Sequence, residues 1–309
     1  MRVIFMGTPD FAVPSLEALL TKHEVVLVVT QPDKPKGRGK KMVPTPVKAF
    51  ALEHGIPVLQ PEKVKEPEFV EQLRSYEPDL IAVTAFGQIL SEPILEMPKY
   101  GCINVHGSLL PKYRGAAPMQ WSIIDGEKVT GITTMYMAKG LDSGDMLLKA
   151  EVEITDEDTF ATIHDKMAVT GANLLLDTLD QLEAGTLERI PQDHDAATYA
   201  PMITKETGHI DWSKNRQDII NLIRGLNPVP AAYTIYEEEV LKIFGAVISD
   251  VQADDAANGE IVAVVKKGFV VKCGDGCLLI TEVQARGGKR MMTDAYLRGH
   301  AMKEGILLQ

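Results

Sequence analysis

The 309-residue chain is expected to fold as an α/β domain built on a mostly parallel sheet, joined to a smaller all-β domain. Three observations point there. Short apolar runs alternate with longer amphipathic stretches through the first part of the chain, the pattern of strands joined by crossover helices. Runs such as EVVLVVT are apolar without polar alternation, as strands covered on both faces are. Near the other end the runs become strand-like throughout and are separated by Gly, Asp and Asn turns, which fits a small barrel or sandwich.

Taken in order, RVIFM, EVVLVVT, IPVLQ, LIAVTAF and CINVH are the strands, and FAVPSLEALL, PVKAFALEHG, PEFVEQLRSY and PILEM the helices between them. Such an order is Rossmann-like. A Gly- and Pro-containing loop, HGSLLPKYRGAAP, follows CINVH. Next come a helix from Met119 to Asp125, the extended stretches GITTMYM and GDMLLKAEVEI, and an amphipathic helix from about Thr159 to Ala184. The stretch TLERIPQDHDAATYAPMITK carries neither period and reads as an extended linker. A short helix near Arg216 to Gly225 leads into AAYTIY, VLKIFGAVI and EIVAVVKKGFVVKCGDGCLLITEVQ. The expected division is an α/β domain over 1–189, a linker over 190–205 and a β-barrel of OB-like outline over 206–309.

Composition is that of an ordinary globular protein, with 45% hydrophobic and 24% charged residues. The apolar run at the N-terminus is too short for a signal peptide or a membrane span, and Cys102, Cys273 and Cys277 form neither a disulfide framework nor a zinc motif. A cytoplasmic protein without metal is expected. The net charge of −11 argues against a surface that holds nucleic acid everywhere. From Lys205 onward there are 13 basic and 14 acidic residues, against 19 and 29 before it, so any RNA contact in the first part must be local.

MGTPDFA lacks the glycine spacing of a dinucleotide fingerprint; Gly7 makes a strand-to-helix turn and Asp10 begins the helix. Asn104-Val105-His106 is more informative, because it ends a strand of an α/β sheet, where ligands commonly sit. Residues two apart share a side, so an amide donor and an imidazole converge while Val105 faces away. Asp142, in Leu141-Asp142-Ser143-Gly144-Asp145, supplies a carboxylate able to orient the imidazole or take up a proton, and is preferred over Asp145. A strand-end Asn and His are also frequent structural groups, and residue spacing alone leaves both readings open. The run from Asp33 to Lys41 packs five positive charges around glycines, as either a solvated loop or a contact for phosphate. The methionines, Met291 and Met292 among them, are assigned to core or gap filling, and Cys273 and Cys277 to half-buried strand positions.

The strings CINVHGSLLPKYRGAAP and GLDSGDML resemble the signature of the folate-dependent formyltransferase family. FMGTPDFAVPSLEALL, TQPDKPKGRGKKMVPTPVK and IRGLNPVPAAYT extend the resemblance along nearly the whole chain, toward the branch that acts on charged tRNA. The resemblance implies 10-formyltetrahydrofolate as formyl donor and initiator methionyl-tRNA as acceptor. It further implies that Asn104, His106 and Asp142 are catalytic, that Ser108, Leu109, Leu110 and Pro111 line the folate site, and that Arg38, Lys40 and Lys41 contact tRNA. Val229 departs from the family pattern, which often has an aromatic residue there. A monomer without membrane contact is expected.

Formyl transfer needs stabilisation of a developing oxyanion and protonation of the leaving nitrogen. Asn104 and His106 can donate to the oxyanion, and Asp142 can support a charged imidazole and relay the proton. Two rival readings are a folate-dependent transferase acting on a small-molecule amine and a noncatalytic RNA-binding module. The basic loop and the added β domain favour tRNA over the first, and the Asn-His-Asp set disfavours the second.

Overall fold

In the computed structural model, which describes residues 1–36 and 41–309, the chain forms two compact units. The first comprises Met1–Gly115, Val129–Glu153 and His164–Tyr199, and the second Ala116–Lys128, Ile154–Ile163 and Ala200–Gln309.

The first unit holds one seven-stranded sheet, ordered Met146–Glu153, Val129–Tyr136, Cys102–His106, Leu80–Thr84, Arg2–Gly7, Glu24–Val29, Val58–Leu59. The last five of these run parallel, and the first two add antiparallel strands at one edge. The order reverses between Arg2–Gly7 and Leu80–Thr84, which makes the carboxyl ends of neighbouring strands a crevice suited to a ligand. Burial on both faces explains the unbroken apolar runs: Val3, Ile4, Phe5 and Met6 are all fully buried. One face packs Ile4, Met6, Ile81 and Val83 against Val70, Leu73 and Ile94 of the helices Pro67–Arg74 and Glu92–Leu95. On the other side lies the helix Phe160–Ala184, where a Cβ at Gly171 would stand 2.9 Å from Val105. Val105 therefore faces away from Asn104 and His106, as the two-residue strand period requires.

Local chemistry sets several boundaries. Thr45 caps the helix Pro46–Glu53 by accepting from the Lys48 N–H, with Pro46 at the first helical position. Gly7 has a reason beyond its turn, since a Cβ there would lie 2.9 Å from both Ala12 and the Thr84 carbonyl. Asp10 opens a short 3₁₀ turn, Asp10–Ala12, ahead of the helix Val13–Leu20. The basic run forms a small hairpin on either side of residues 37–40: Lys34 pairs with Val43, and Lys36 with Lys41.

The second unit carries an antiparallel sheet ordered Ala232–Tyr236, Glu239–Ser249, Gly276–Ala285, Gly268–Cys273, Ile261–Val265. Its two edges are joined by residues 306–309. The Ile261 N–H donates to Ile306 O and the Leu308 N–H to Gly259 O, while Gln309 and Ile235 exchange two backbone hydrogen bonds. The sheet thereby closes into a barrel, which removes exposed edges. Inside lie Trp212, Ile261, Phe269, Leu278, Ile280 and Leu308, together with Ile219 and Ile223 of the helix Arg216–Gly225.

Two sequence expectations need correction here, and a third position is settled for packing. Cys273 and Cys277 are fully buried rather than half-buried, with Cys273 packed in the barrel core. Met291 packs against the barrel core but Met292 is 56% exposed, since the short strand they form alternates faces. Val229 is 68% exposed, so the departure there costs no packing.

Candidate active site

The carboxyl end of the Cys102–His106 strand brings together three of the expected residues or their surroundings. His106 is 6% exposed, and its Nε2 lies 3.0 Å from the carbonyl oxygen of Tyr113. A carbonyl only accepts, so Nε2 carries the proton and Nδ1 is the nitrogen left for chemistry. Nδ1 stands 3.7 Å from Oδ2 of Asp142, close enough for charge pairing and too far for a direct hydrogen bond. Oδ2 also accepts a hydrogen bond of 2.8 Å from the Gly115 N–H. Asp145 turns elsewhere, into a 2.9 Å ion pair with Arg189. Asn104 is half-buried, and its carboxamide makes no hydrogen bond to the described residues.

The loop after His106 is tied to the sheet. Thr133 donates to Ser108 O at 2.7 Å and accepts from the Leu110 N–H at 3.1 Å, and Lys149 donates to Leu110 O at 2.6 Å. These bonds fix the loop expected to line the folate site. Ser108 is buried with its hydroxyl donating to Lys112 O, and Leu110 is buried against Met135 and Met146. Leu109 packs over Gly131, where a Cβ would meet its Cδ2 at 2.6 Å, and Pro111 is half-buried. The loop therefore offers a rigid wall in place of polar side chains. Arg38 and Lys40 lie outside the described residues, and Lys41 enters only through its backbone pairing.

Sequence reasoning missed Arg114 and Gln192. Gln192 lies in the stretch expected to be a linker, which is extended: Ile190 exchanges two backbone hydrogen bonds with Met146. That pairing carries Gln192 beside the Asp142 turn, where its Nε2 donates to Asp142 O and Gly144 O, each at 2.8 Å. Arg114 Nε and Nη2 donate to Gln192 Oε1 at 3.0 and 2.7 Å. No local pattern marks this pair, because its partners lie 78 residues apart. Cys102, on the same side of the strand as Asn104, is packing: burial pushes its thiol up to about 12, and its Sγ contacts Ile94 O.

Residues 1–179 match the formyl transferase family and residues 202–301 the formyl transferase C-terminal domain. A methionyl-tRNA formyltransferase of Acetivibrio thermocellus is 54% identical over 309 residues, covering 100% of this chain and 99% of the relative. The methionyl-tRNA formyltransferase of Ruminiclostridium cellulolyticum is 56% identical over 307 residues, with 99% and 98% covered. Among solved structures, HypX of Aquifex aeolicus in complex with tetrahydrofolic acid matches with a TM-score of 0.66 at 17% identity, covering all of this chain and 50% of that one. The sugar 3N-formyl transferase WlaRD matches at 0.67 and 19% identity, with 92% and 97% covered. The last two likenesses concern the fold. With family matches across both parts and about half of all residues shared over its full length, the chain belongs to the formyl transferase family, together with the methionyl-tRNA formyltransferases.

Proposed function

We infer that this protein transfers the formyl group of 10-formyltetrahydrofolate to the amino group of initiator methionyl-tRNA. The observation that carries the reading is full-length similarity to methionyl-tRNA formyltransferases, joined to an imidazole–carboxylate pair on the strand end that carries the Asn104 amide, which is unpartnered among the described residues.

The amine attacks the formyl carbon directly. Its reference pKa of about 7.7 to 8.0 leaves a substantial neutral fraction near neutrality, so no covalent enzyme intermediate is needed. As the new C–N bond forms, charge gathers on the formyl oxygen. Asn104 donates its amide hydrogens to it, and His106 adds a second donor through Nδ1 when that nitrogen is protonated. The Tyr113 carbonyl fixes the ring, so Nδ1 alone changes proton occupancy during turnover. Asp142 stabilises the charged imidazole and takes part in moving the amine's proton to the folate nitrogen, which leaves when its bond to the formyl carbon breaks. The products are the formylated amine and tetrahydrofolate.

Ser108, Leu109, Leu110 and Pro111 line the folate side, while Arg38, Lys40 and Lys41 engage the acceptor end of tRNA. In this reading the protein works in the cytoplasm as a monomer.

Labelled formyl transfer is the test, run with methionine-charged initiator tRNA beside uncharged tRNA and free methionine. Product on the charged tRNA alone is expected. Transfer to a small amine in preference would replace the acceptor while leaving the donor chemistry intact.

A further inference from the structure

The tripeptide Tyr113–Gly115 touches both members of the imidazole–carboxylate pair. Its first carbonyl receives His106 Nε2, and its last N–H donates to Asp142 Oδ2. Between them Arg114 turns inward, 4% exposed, and gives two hydrogen bonds to the oxygen of Gln192. Its Nη2 also lies 3.0 Å from Nδ1 of His194, which must accept because a guanidinium only donates. Gln192, 6% exposed, directs its amide nitrogen to the carbonyls of Asp142 and Gly144. The contacts close a ring from His106 through Arg114 and Gln192 back to Asp142.

We propose that Arg114 and Gln192 are positioning residues for formyl transfer, holding the Asp142 backbone so that its carboxylate stays at a set distance from His106. The inference rests on the reading of Asp142 given above. Three features support it. Asp142 has φ +44°, a left-handed conformation that a non-glycine residue keeps only when its surroundings hold it. Gln192 has one workable orientation: with its amide flipped, NH₂ would face a guanidinium and the oxygen would face two carbonyls. Finally, among the described residues Arg114 pairs with no carboxylate, so a buried charge is spent on orienting a neutral amide, a costly way merely to fill space.

The experiment compares Gln192→Ala, Gln192→Glu and Asp142→Ala. Gln192→Ala is expected to lower kcat by about 10²-fold, the scale of a misplacement near 1 Å, with both KM values within about twofold and the melting temperature nearly kept. Gln192→Glu still pairs with Arg114 but cannot donate to the two carbonyls, so it is expected to lose kcat similarly. It also reads the proposal if the alanine variant does not fold. Wild-type kcat in Gln192→Ala, or full rescue by Gln192→Glu, overturns the positioning role. Full turnover in Asp142→Ala overturns the reading of Asp142 itself, and the positioning role with it. An inactive Asp142→Ala beside a normal Gln192→Ala sinks only the positioning role.

Discussion

Proton occupancy at single residues is decided by what surrounds them. His106 is fixed on one nitrogen by a carbonyl and faces a carboxylate with the other, while the Asn104 amide makes no hydrogen bond to the described residues. Removing one oxyanion donor typically costs about 10²- to 10³-fold in rate, so Asn104→Ala is expected to lose that much kcat with folding unchanged. Steady-state kinetics on a variant of wild-type melting temperature checks it. His23 illustrates the opposite design: it is buried, neither ring nitrogen has a hydrogen-bond partner among the described residues, and burial together with the N-terminal charge lowers its pKa below the ordinary 6.5. The unfolded chain therefore binds the proton more readily. The stability linked to His23 is complete above 6.5 and is lost as pH falls toward the lower folded value. Denaturation midpoints of the wild type should drop more than those of His23→Gln between about pH 7 and pH 5. Parallel curves would refute this.

Among the elements, caps and closures matter more than propensity. Asn215 begins the helix Arg216–Gly225 by accepting from the Asp218 N–H at 2.8 Å and donating back to its carboxylate at 2.8 Å. Asn215→Ala should cost about 1 kcal/mol of stability, read from urea unfolding. Residues 306–309 act as a closing strand, and Leu308 fills the barrel from it at 3% exposure. Leu308→Ala is expected to cost about 2–5 kcal/mol, through lost burial and the cavity left behind. A loss under about 1 kcal/mol would show that the barrel closes without this segment. The stretch around Gln192 gives the same lesson for the site: a segment with no period of its own is ordered by pairing Ile190 with Met146, and so becomes part of the support beneath Asp142.

For the molecule as a whole, charge sets how RNA can be held. A net charge of −11 repels a polyanion, and the basic residues between Lys34 and Lys41 oppose it locally. Raising salt should therefore increase the KM for charged tRNA with a log–log slope of magnitude no greater than about 4 to 5, leaving the KM for folate unchanged. Arg38→Ala should lower that slope by about one. A salt-independent tRNA KM would remove the basic run from the interface.

Much of this molecule was legible in its sequence. The runs RVIFM to CINVH become the five parallel strands because side chains buried on both faces need no polar partner. The helix Arg216–Gly225 and the strands after it follow from period and turn residues in the same way. Even the shared side of Asn104 and His106 follows from strand geometry alone. Other features have no local signature. That Leu110 turns inward onto Met135 and Met146, that Gln192 meets the Asp142 turn, and that residues 306–309 close the barrel depend on partners far along the chain. Periodicity reports which way a side chain points within its own element. Only the packed structure decides which distant donor meets which acceptor, because hydrogen bonds over 78 residues are selected by the fold that brings their ends together.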